Sequence, residues 1–122
     1  MAKKILIVDD EPNIVMMLER RLKANGYDVI AAYAGEEALK RAKEDGPDLI
    51  LLDVMMPPPN GFQVCRTLKD DPKYKHIPVV LLTAKVTESD QFWGMESGAD
   101  AYVTKPYNAD ELLAKIGALL KK

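Results

Sequence analysis

The chain has 122 residues, of which 48% are hydrophobic and 30% are charged, and its formal net charge is −2. This length predicts one domain with a single hydrophobic core, and the nearly balanced charge argues against binding of nucleic acid. The single cysteine, Cys65, excludes an internal disulfide and a CxxC metal site. No apolar stretch approaches the roughly 20 residues of a membrane span, and the first apolar run is too short for a signal peptide. We therefore expect a cytoplasmic protein that does not enter a membrane.

Five short apolar runs alternate with helical patterns along the chain. In order, the patterns predict a strand at Ile5–Val8, a helix at Glu11–Asn25, a strand at Val29–Ala32, a helix at Glu36–Glu44, a strand at Leu49–Leu52, a helix at Phe62–Leu68, a strand at Val79–Leu82, a helix at Thr87–Ser97, a strand at Ala101–Val103 and a last helix after Asn108. The first, third and fourth strands are continuously apolar, which is typical of strands buried on both faces of a parallel sheet. The second and fifth are weaker, which indicates positions nearer the edges.

The helix boundaries carry recognisable start and stop signals. Pro12 stands at the first turn of the first helix and Gly26 follows its end. Asn108, with Glu111 three residues later, resembles a capping box. Five βα units predict one α/β domain over residues 1–122, built as a doubly wound parallel sheet with helices on both faces.

Polar side chains follow four of the five predicted strands. Asp9 and Asp10 follow the first strand, Asp53 the third, Thr83 the fourth, and residues 104–106 (Thr-Lys-Pro) the fifth. In a doubly wound sheet, ligands bind outside the carboxyl ends of the strands, near the point where the strand order reverses. We therefore expect these side chains to form one site.

The chemistry of this set favours phosphoryl transfer. Two carboxylates ~4 Å apart repel each other by about 4 kcal/mol at an effective dielectric of 20, which Mg²⁺ and the positive charge of Lys105 would offset. A carboxylate, a lysine and Mg²⁺ suit a transferring phosphoryl group, and Thr83 can donate a hydrogen bond to its oxygens. Carboxylates can form acyl phosphates. Asp53 is the best placed nucleophile, whereas the adjacent Asp9 and Asp10 suit metal coordination.

Five motifs, in this order and spacing, resemble the receiver domains of two-component response regulators. They are Ile7–Glu11, Asp53–Pro57 with Gly61, Leu82–Ala84, Gly98–Asp100 and Thr104–Tyr107. The resemblance spans the whole chain and implies a flavodoxin-like sheet of five strands in the order 2-1-3-4-5, with five flanking helices. It also implies a phosphorylation switch, in which Asp53 accepts the phosphoryl group from a histidine kinase or a histidine phosphotransfer protein.

The resemblance further implies a magnesium site. Asp10 and Asp53 would bind Mg²⁺ directly, and Asp9 would assist through a water molecule. The backbone carbonyl of Met55 would be the third protein ligand. Magnesium would thus be the one cofactor of the domain.

The same resemblance assigns the phosphate-binding and switch residues. Lys105, Thr83 and Ala84 would bind the phosphoryl group, and the Lys105–Pro106 bond would be cis. Thr83 and Tyr102 would move together, and this would change the surface formed by the fourth predicted helix, the fifth strand and the fifth helix. A downstream protein or an output domain would bind that surface, with the chain as a monomer or a phosphorylation-dependent dimer.

One loop departs from the family pattern. The run Pro57-Pro58-Pro59 precedes Asn60 and Gly61. Each proline fixes its own φ, removes a backbone N–H and restricts the residue before it. The loop length is unchanged, so the sequence predicts an intact site beside a stiffer loop.

Two other functions remain as alternatives. A pseudo-receiver would keep the fold as an interaction module without phosphorylation, although the acidic, hydroxyl and lysine positions are all filled here. A Mg²⁺-dependent phosphohydrolase with an aspartyl-phosphate intermediate usually has a second acid two residues after the nucleophile, where this chain has Met55. We therefore expect a phosphoacceptor that assists its own phosphorylation and dephosphorylation, and not a turnover enzyme.

Overall fold

A computed structural model of the chain describes residues 2–83, 98–104 and 108–120. Within them the elements are β1 (Lys4–Val8), α1 (Pro12–Ala24), β2 (Asp28–Ala32), α2 (Gly35–Asp45), β3 (Leu49–Asp53), α3 (Gly61–Lys69), β4 (Val79–Thr83), β5 (Ala101–Thr104) and α4 (Ala109–Leu120). The helix predicted over Thr87–Ser97 lies outside the described residues. Among the described helices, none has the length and apolar character needed to cross a membrane.

The five strands form one parallel sheet in the order β2-β1-β3-β4-β5. This confirms the expected order and places the two weaker apolar runs, β2 and β5, at the edges. From β1 the chain adds β2 on one side, and it then crosses to the other side to add β3, β4 and β5, so β1 and β3 are direct neighbours. The carboxyl ends of β1 and β3 therefore meet where the strand order reverses, the usual ligand position in such folds.

The hydrophobic core is divided by the sheet into two layers. Successive residues of a strand point to opposite faces, so Leu6 packs on one side of the sheet and Ile7 on the other. The layer on one face includes apolar side chains of α2 and α3, and the layer on the other includes those of α1 and α4. Because β1, β3 and β4 are covered on both faces, nearly all their residues are apolar.

The helix ends follow the predicted signals. α1 begins at Pro12, and the chain leaves it through Gly26, whose φ of 89° is a left-handed value that a residue with a Cβ rarely adopts. At α4, the side-chain oxygen of Asn108 accepts backbone hydrogen bonds from Asp110 at 2.8 Å and Glu111 at 3.3 Å. These signals fix where each helix starts and stops relative to the sheet.

Candidate functional site

The two central strands bring three carboxylates together at the carboxyl edge of the sheet. Asp9 and Asp10 directly follow β1, and Asp53 is the last residue of β3. One carboxylate oxygen from each of the three side chains lies within 4.8 Å of the other two. The structure thus assembles the acidic group that the sequence predicts.

The three carboxylates differ in their exposure. Asp9 is 0% exposed and Asp53 is 3% exposed, whereas Asp10 is open to solvent. Asp9 Oδ1 accepts the backbone N–H of Glu11 at 2.9 Å, and Asp53 Oδ1 accepts that of Met55 at 3.3 Å. Each buried carboxylate is therefore oriented by the backbone of the loop that follows its own strand, and the cluster is reached from the side of Asp10.

The donor set fits a hard divalent cation. All three side chains offer carboxylate oxygens, the ligands that Mg²⁺ and Ca²⁺ prefer. The group contains neither histidine nor cysteine, the ligands that favour softer metals. Buried carboxylates that repel one another also need a positive charge to offset the repulsion. The acidic cluster could therefore hold a metal ion with its own side chains.

The β3–α3 loop, residues 54–60, is closed by hydrogen bonds at both ends. At its start, the N–H of Val54 donates to the carbonyl of Leu82 in β4 at 2.9 Å. The carbonyl of Val54 accepts from the N–H of Gly61 at 3.4 Å, which joins the loop start to the start of α3. The Pro58–Pro59 peptide bond in this loop is cis.

A capping box holds the far end of the loop. Asn60 Oδ1 accepts the N–H of Gln63 at 3.0 Å, and Gln63 Oε1 accepts the N–H of Asn60 at 2.7 Å. The Asn-x-x-Gln spacing is a known signal for such a box, but the helix predicted at Phe62 did not include it. The box fixes the direction in which α3 leaves the site.

Two glycines let the chain pack closely around this loop. A Cβ built on Gly61 would lie 2.5 Å from the carbonyl oxygen of Asp53, and one built on Gly35 would lie 2.7 Å from Cγ of Pro59. Such distances are shorter than real Cβ contacts. The start of α3 therefore rests on the backbone of Asp53, and the start of α2 rests on the proline run. The contact between Gly35 and Pro59 brings together two loops that are distant in the sequence, and no sequence pattern predicts it.

The predicted switch pair lies on one face of the sheet. Thr83 ends β4 and is 6% exposed. Tyr102 pairs with Leu81, and both belong to the layer that includes α2 and α3. Because strand side chains alternate, Thr83 and Leu81 share a face, and Thr83 therefore lies on the same face as Tyr102. The other predicted site residues, Ala84, Lys105 and Pro106, lie outside the described residues.

Comparison with known proteins identifies the family that this chain resembles. The model of the family described as response regulator receiver domain matches residues 5–117. The chain is 48% identical over 122 residues to the alkaline phosphatase synthesis transcriptional regulatory protein PhoP of Bacillus subtilis (strain 168). The match covers 100% of this chain and 50% of PhoP, so the chain spans about half the length of that relative.

Solved structures agree with the sequence comparison. The signal receiver domain of a signal transduction histidine kinase from Syntrophus aciditrophicus superposes with a TM-score of 0.93 at 38% identity, over 98% of this chain and 91% of that chain. The chemotaxis protein CheY4 of Vibrio cholerae superposes with a TM-score of 0.92 at 32% identity, over 98% of this chain and 100% of that chain. Sequence and structure therefore point to the same group of proteins.

Proposed function

This chain belongs to the family of response regulator receiver domains, and we propose that it is a phosphorylation switch in which Asp53 accepts the phosphoryl group. The observation that carries this proposal is the meeting of Asp53 with Asp9 and Asp10 at the carboxyl edge of β1 and β3. Carboxylates are known nucleophiles that form acyl phosphates. The cluster supplies both a nucleophile and the charges that would hold a metal beside it.

Asp53 is the best acceptor of the three for geometric reasons. Its backbone is fixed inside β3, where it pairs with Leu82 of β4, and Met55 N–H orients one of its carboxylate oxygens. The carboxylate of Asp53 is thus held at the edge of the sheet beside Asp9 and Asp10. Thr83 ends the neighbouring strand, so a hydroxyl donor is near the place where phosphoryl oxygens would lie.

We assign the magnesium ligands to the same cluster. Asp10 and Asp53 would bind the ion directly, Asp9 would assist, and the backbone carbonyl of Met55 would complete the protein ligands. When bound, Mg²⁺ offsets the repulsion among the carboxylates and the negative charge of the phosphoryl oxygens. Asp9, held by the N–H of Glu11, keeps its carboxylate facing the cluster. Lys105 and Ala84 complete the proposed phosphate site.

The proposed reaction transfers a phosphoryl group from nitrogen to oxygen. A carboxylate oxygen of Asp53 attacks the phosphorus of a phosphohistidine, a P–O bond forms, the P–N bond breaks, and the imidazole leaves with the electron pair. The donor would be a histidine kinase or a histidine phosphotransfer protein. The chain would act as an acceptor that is phosphorylated and then dephosphorylated, and it would not turn over free substrates. We propose that this cycle takes place in the cytoplasm.

The proposed output is a change of surface. A phosphoryl group on Asp53 would draw the hydroxyl of Thr83 towards it, and Tyr102 would move on the face that it shares with Thr83. This movement would bias a two-state surface that includes β5 and α4. A downstream protein, or an output domain of a longer chain, would bind this surface.

The test is chemical phosphorylation followed by intact mass measurement. The protein is incubated with acetyl phosphate and Mg²⁺, beside an Asp53→Asn variant and a sample with EDTA. We expect a mass gain of one phosphoryl group only in the wild type with Mg²⁺. Labelling of Asp53→Asn would refute the assignment of the acceptor. A wild type that neither gains the group nor binds Mg²⁺ in calorimetry would refute the switch, and rapid turnover of a phosphomonoester would indicate a hydrolase instead.

A further inference from the structure

We propose that Gly35 and Pro59 are positioning residues, through which the first turn of α2 sets the Mg²⁺ affinity and the phosphorylation rate of the acidic site. Their effect acts through the β3–α3 loop, to which Pro59 belongs. This inference rests on the function proposed above. It gives a role to the turn after β2, the strand whose end delivers no reactive side chain to the site.

The contact itself is tight because Gly35 has no side chain. Gly35 is the first residue of α2 and is buried. A Cβ at this position would lie 2.7 Å from Cγ of Pro59 and 3.0 Å from Cγ2 of Val64, and it would also strike the carbonyl oxygen of Pro59. The φ of Gly35 is not in the left-handed range, so glycine is needed here for space and not for backbone conformation.

A displacement of Pro59 cannot pass easily into α3. Asn60, the next residue, is held by the capping box with Gln63. Gly61 follows, with its N–H on the carbonyl of Val54 and its Cα against the backbone of Asp53. Packing of this density resists local shifts. We therefore expect most of the displacement of Pro59 to be taken up on its other side, towards residue 55.

The proline run passes this displacement on towards the site. Pro57, Pro58 and Pro59 each have a fixed φ, and Met56 is 8% exposed and anchored in the core. Few soft torsions remain to absorb a shift. Met56 donates its N–H to the carbonyl of Val54 at 3.0 Å, so a shift of Met56 strains the residue between the two, Met55. The N–H of Met55 donates to Asp53 Oδ1 at 3.3 Å, and its carbonyl is the proposed ligand of Mg²⁺. A stiff loop thus connects the start of α2 to the acceptor carboxylate.

The experiment compares two glycine-to-alanine variants. Gly35→Ala places a methyl group against Pro59. Gly117→Ala, in α4, is the matched control because a Cβ there meets nothing within 4 Å. Mg²⁺ affinity is measured by titration calorimetry, and the phosphorylation rate is measured over a range of acetyl phosphate concentrations. Circular dichroism and urea unfolding establish that each variant is folded.

We expect Gly35→Ala to weaken Mg²⁺ binding by about tenfold, the lower end for residues that orient metal ligands, and to slow phosphorylation at subsaturating Mg²⁺. Gly117→Ala should match the wild type in both measurements. Adding Pro59→Gly to Gly35→Ala removes the ring and frees the loop, so it should restore part of the affinity. If Gly35 had only a structural role, Gly35→Ala would lower stability but leave Mg²⁺ affinity unchanged, and the second substitution would have no affinity to restore.

Several outcomes decide the proposal. A folded Gly35→Ala variant with wild-type Mg²⁺ affinity would overturn it, and so would a double variant in which the affinity is not restored at all. If Gly35→Ala does not fold, Pro59→Ala replaces it: it retains Gly35 and removes Cγ from the contact, and unchanged Mg²⁺ affinity in that variant would overturn the proposal. Failure of the wild type to bind Mg²⁺ or to be phosphorylated would instead refute the proposed function, so the two failures are distinguishable.

Discussion

Gly61 lies directly on the backbone of Asp53. A Cβ at Gly61 would come within 2.5 Å of the Asp53 carbonyl oxygen and 2.8 Å of the Cα of Val54. Both neighbours are backbone atoms inside or next to the central sheet, and they cannot rotate away as a side chain would. The first turn of α3 is thereby fixed to the residue that we propose as the acceptor.

Gly61→Ala should therefore destabilise the protein by about 1–3 kcal/mol, the usual cost of overpacking a dense core. Urea unfolding measures the change. The control, Gly117→Ala, should raise stability by about 0.5–1 kcal/mol, because alanine is the better residue in an open helix position. Equal stability of Gly61→Ala and the wild type would show that the sheet and α3 can separate without cost.

Asp10→Asn should change stability in opposite directions with and without Mg²⁺. Without a divalent cation, removing one negative charge from the cluster should stabilise the fold by about 1 kcal/mol, the repulsion of two charges ~4 Å apart in water-like surroundings. With Mg²⁺ at 100 times its dissociation constant, the wild type should gain about 2.7 kcal/mol, and the variant less.

Thermal unfolding of wild type and Asp10→Asn, in EDTA and in Mg²⁺, measures this crossing. Without Mg²⁺ the variant should unfold at the higher temperature, and with saturating Mg²⁺ the wild type should. If Mg²⁺ stabilised both proteins equally, Asp10 would not be a ligand.

Thr83→Val should separate phosphorylation from its output. Valine has the shape of threonine without the hydroxyl, so Asp53 should still take up the phosphoryl group from acetyl phosphate. The movement of Tyr102 should be lost, because no hydroxyl is drawn to the phosphoryl oxygens. Tyrosine-labelled NMR spectra before and after phosphorylation report this movement. The control is Thr67→Val, on the exposed side of α3, in which Tyr102 should still move. Movement of Tyr102 in phosphorylated Thr83→Val would contradict the switch.

Lys69→Met should destabilise the far side of the fold. Lys69 Nζ donates to the carbonyls of Lys75 at 3.1 Å and Ile77 at 2.8 Å, and it contacts Asp100 Oδ2 at 2.8 Å. The side chain of Lys69 is 14% exposed. Asp100 Oδ2 also accepts the N–H of Val79 at 2.8 Å, so this cluster joins α3 to the starts of β4 and β5.

We expect Lys69→Met to lower the free energy of unfolding by about 2 kcal/mol, as for other hydrogen bonds that involve a charged group. The control is Lys23→Met, which removes the exposed pair with Glu19 in α1 and should cost about 0.5 kcal/mol or less. Urea unfolding distinguishes the two. Equal effects would mean that the Lys69 cluster contributes no more than a surface ion pair.

The sequence predicts the strands well because the sheet is covered on both faces. Continuous apolar runs can then mark β1, β3 and β4 directly. The predicted third strand nevertheless ends at Leu52, whereas β3 includes Asp53, which pairs with Leu82. An apolar pattern stops at the first charged residue, but backbone pairing continues. Asp53, the proposed acceptor, is therefore held by the sheet itself and does not lie in the loop beyond it.

The parts that the sequence does not predict depend on contacts between distant residues. Lys69 looks like an ordinary lysine near a helix end, and only the fold brings it to Asp100. The close contact between Pro59 and Gly35 likewise requires two separate loops to meet. The carboxylate cluster is different, since each of its members directly follows or ends an apolar run and the topology of βα units brings such ends together.

The hydrogen bond from Val54 to Leu82 can form only after β4 has been synthesised. All three carboxylates belong to the first 53 residues, but the carbonyl that holds Val54 belongs to β4. A ribosome adds about 5–20 residues per second, so the acidic residues emerge before the strand that fixes the end of β3. A nascent chain that pairs β1, β2 and β3 before β4 is made lacks the hydrogen bond that holds Val54. Only a chain whose β4 has docked then has the proposed site complete, so we expect phosphorylation of Asp53 only after most of the domain has left the ribosome.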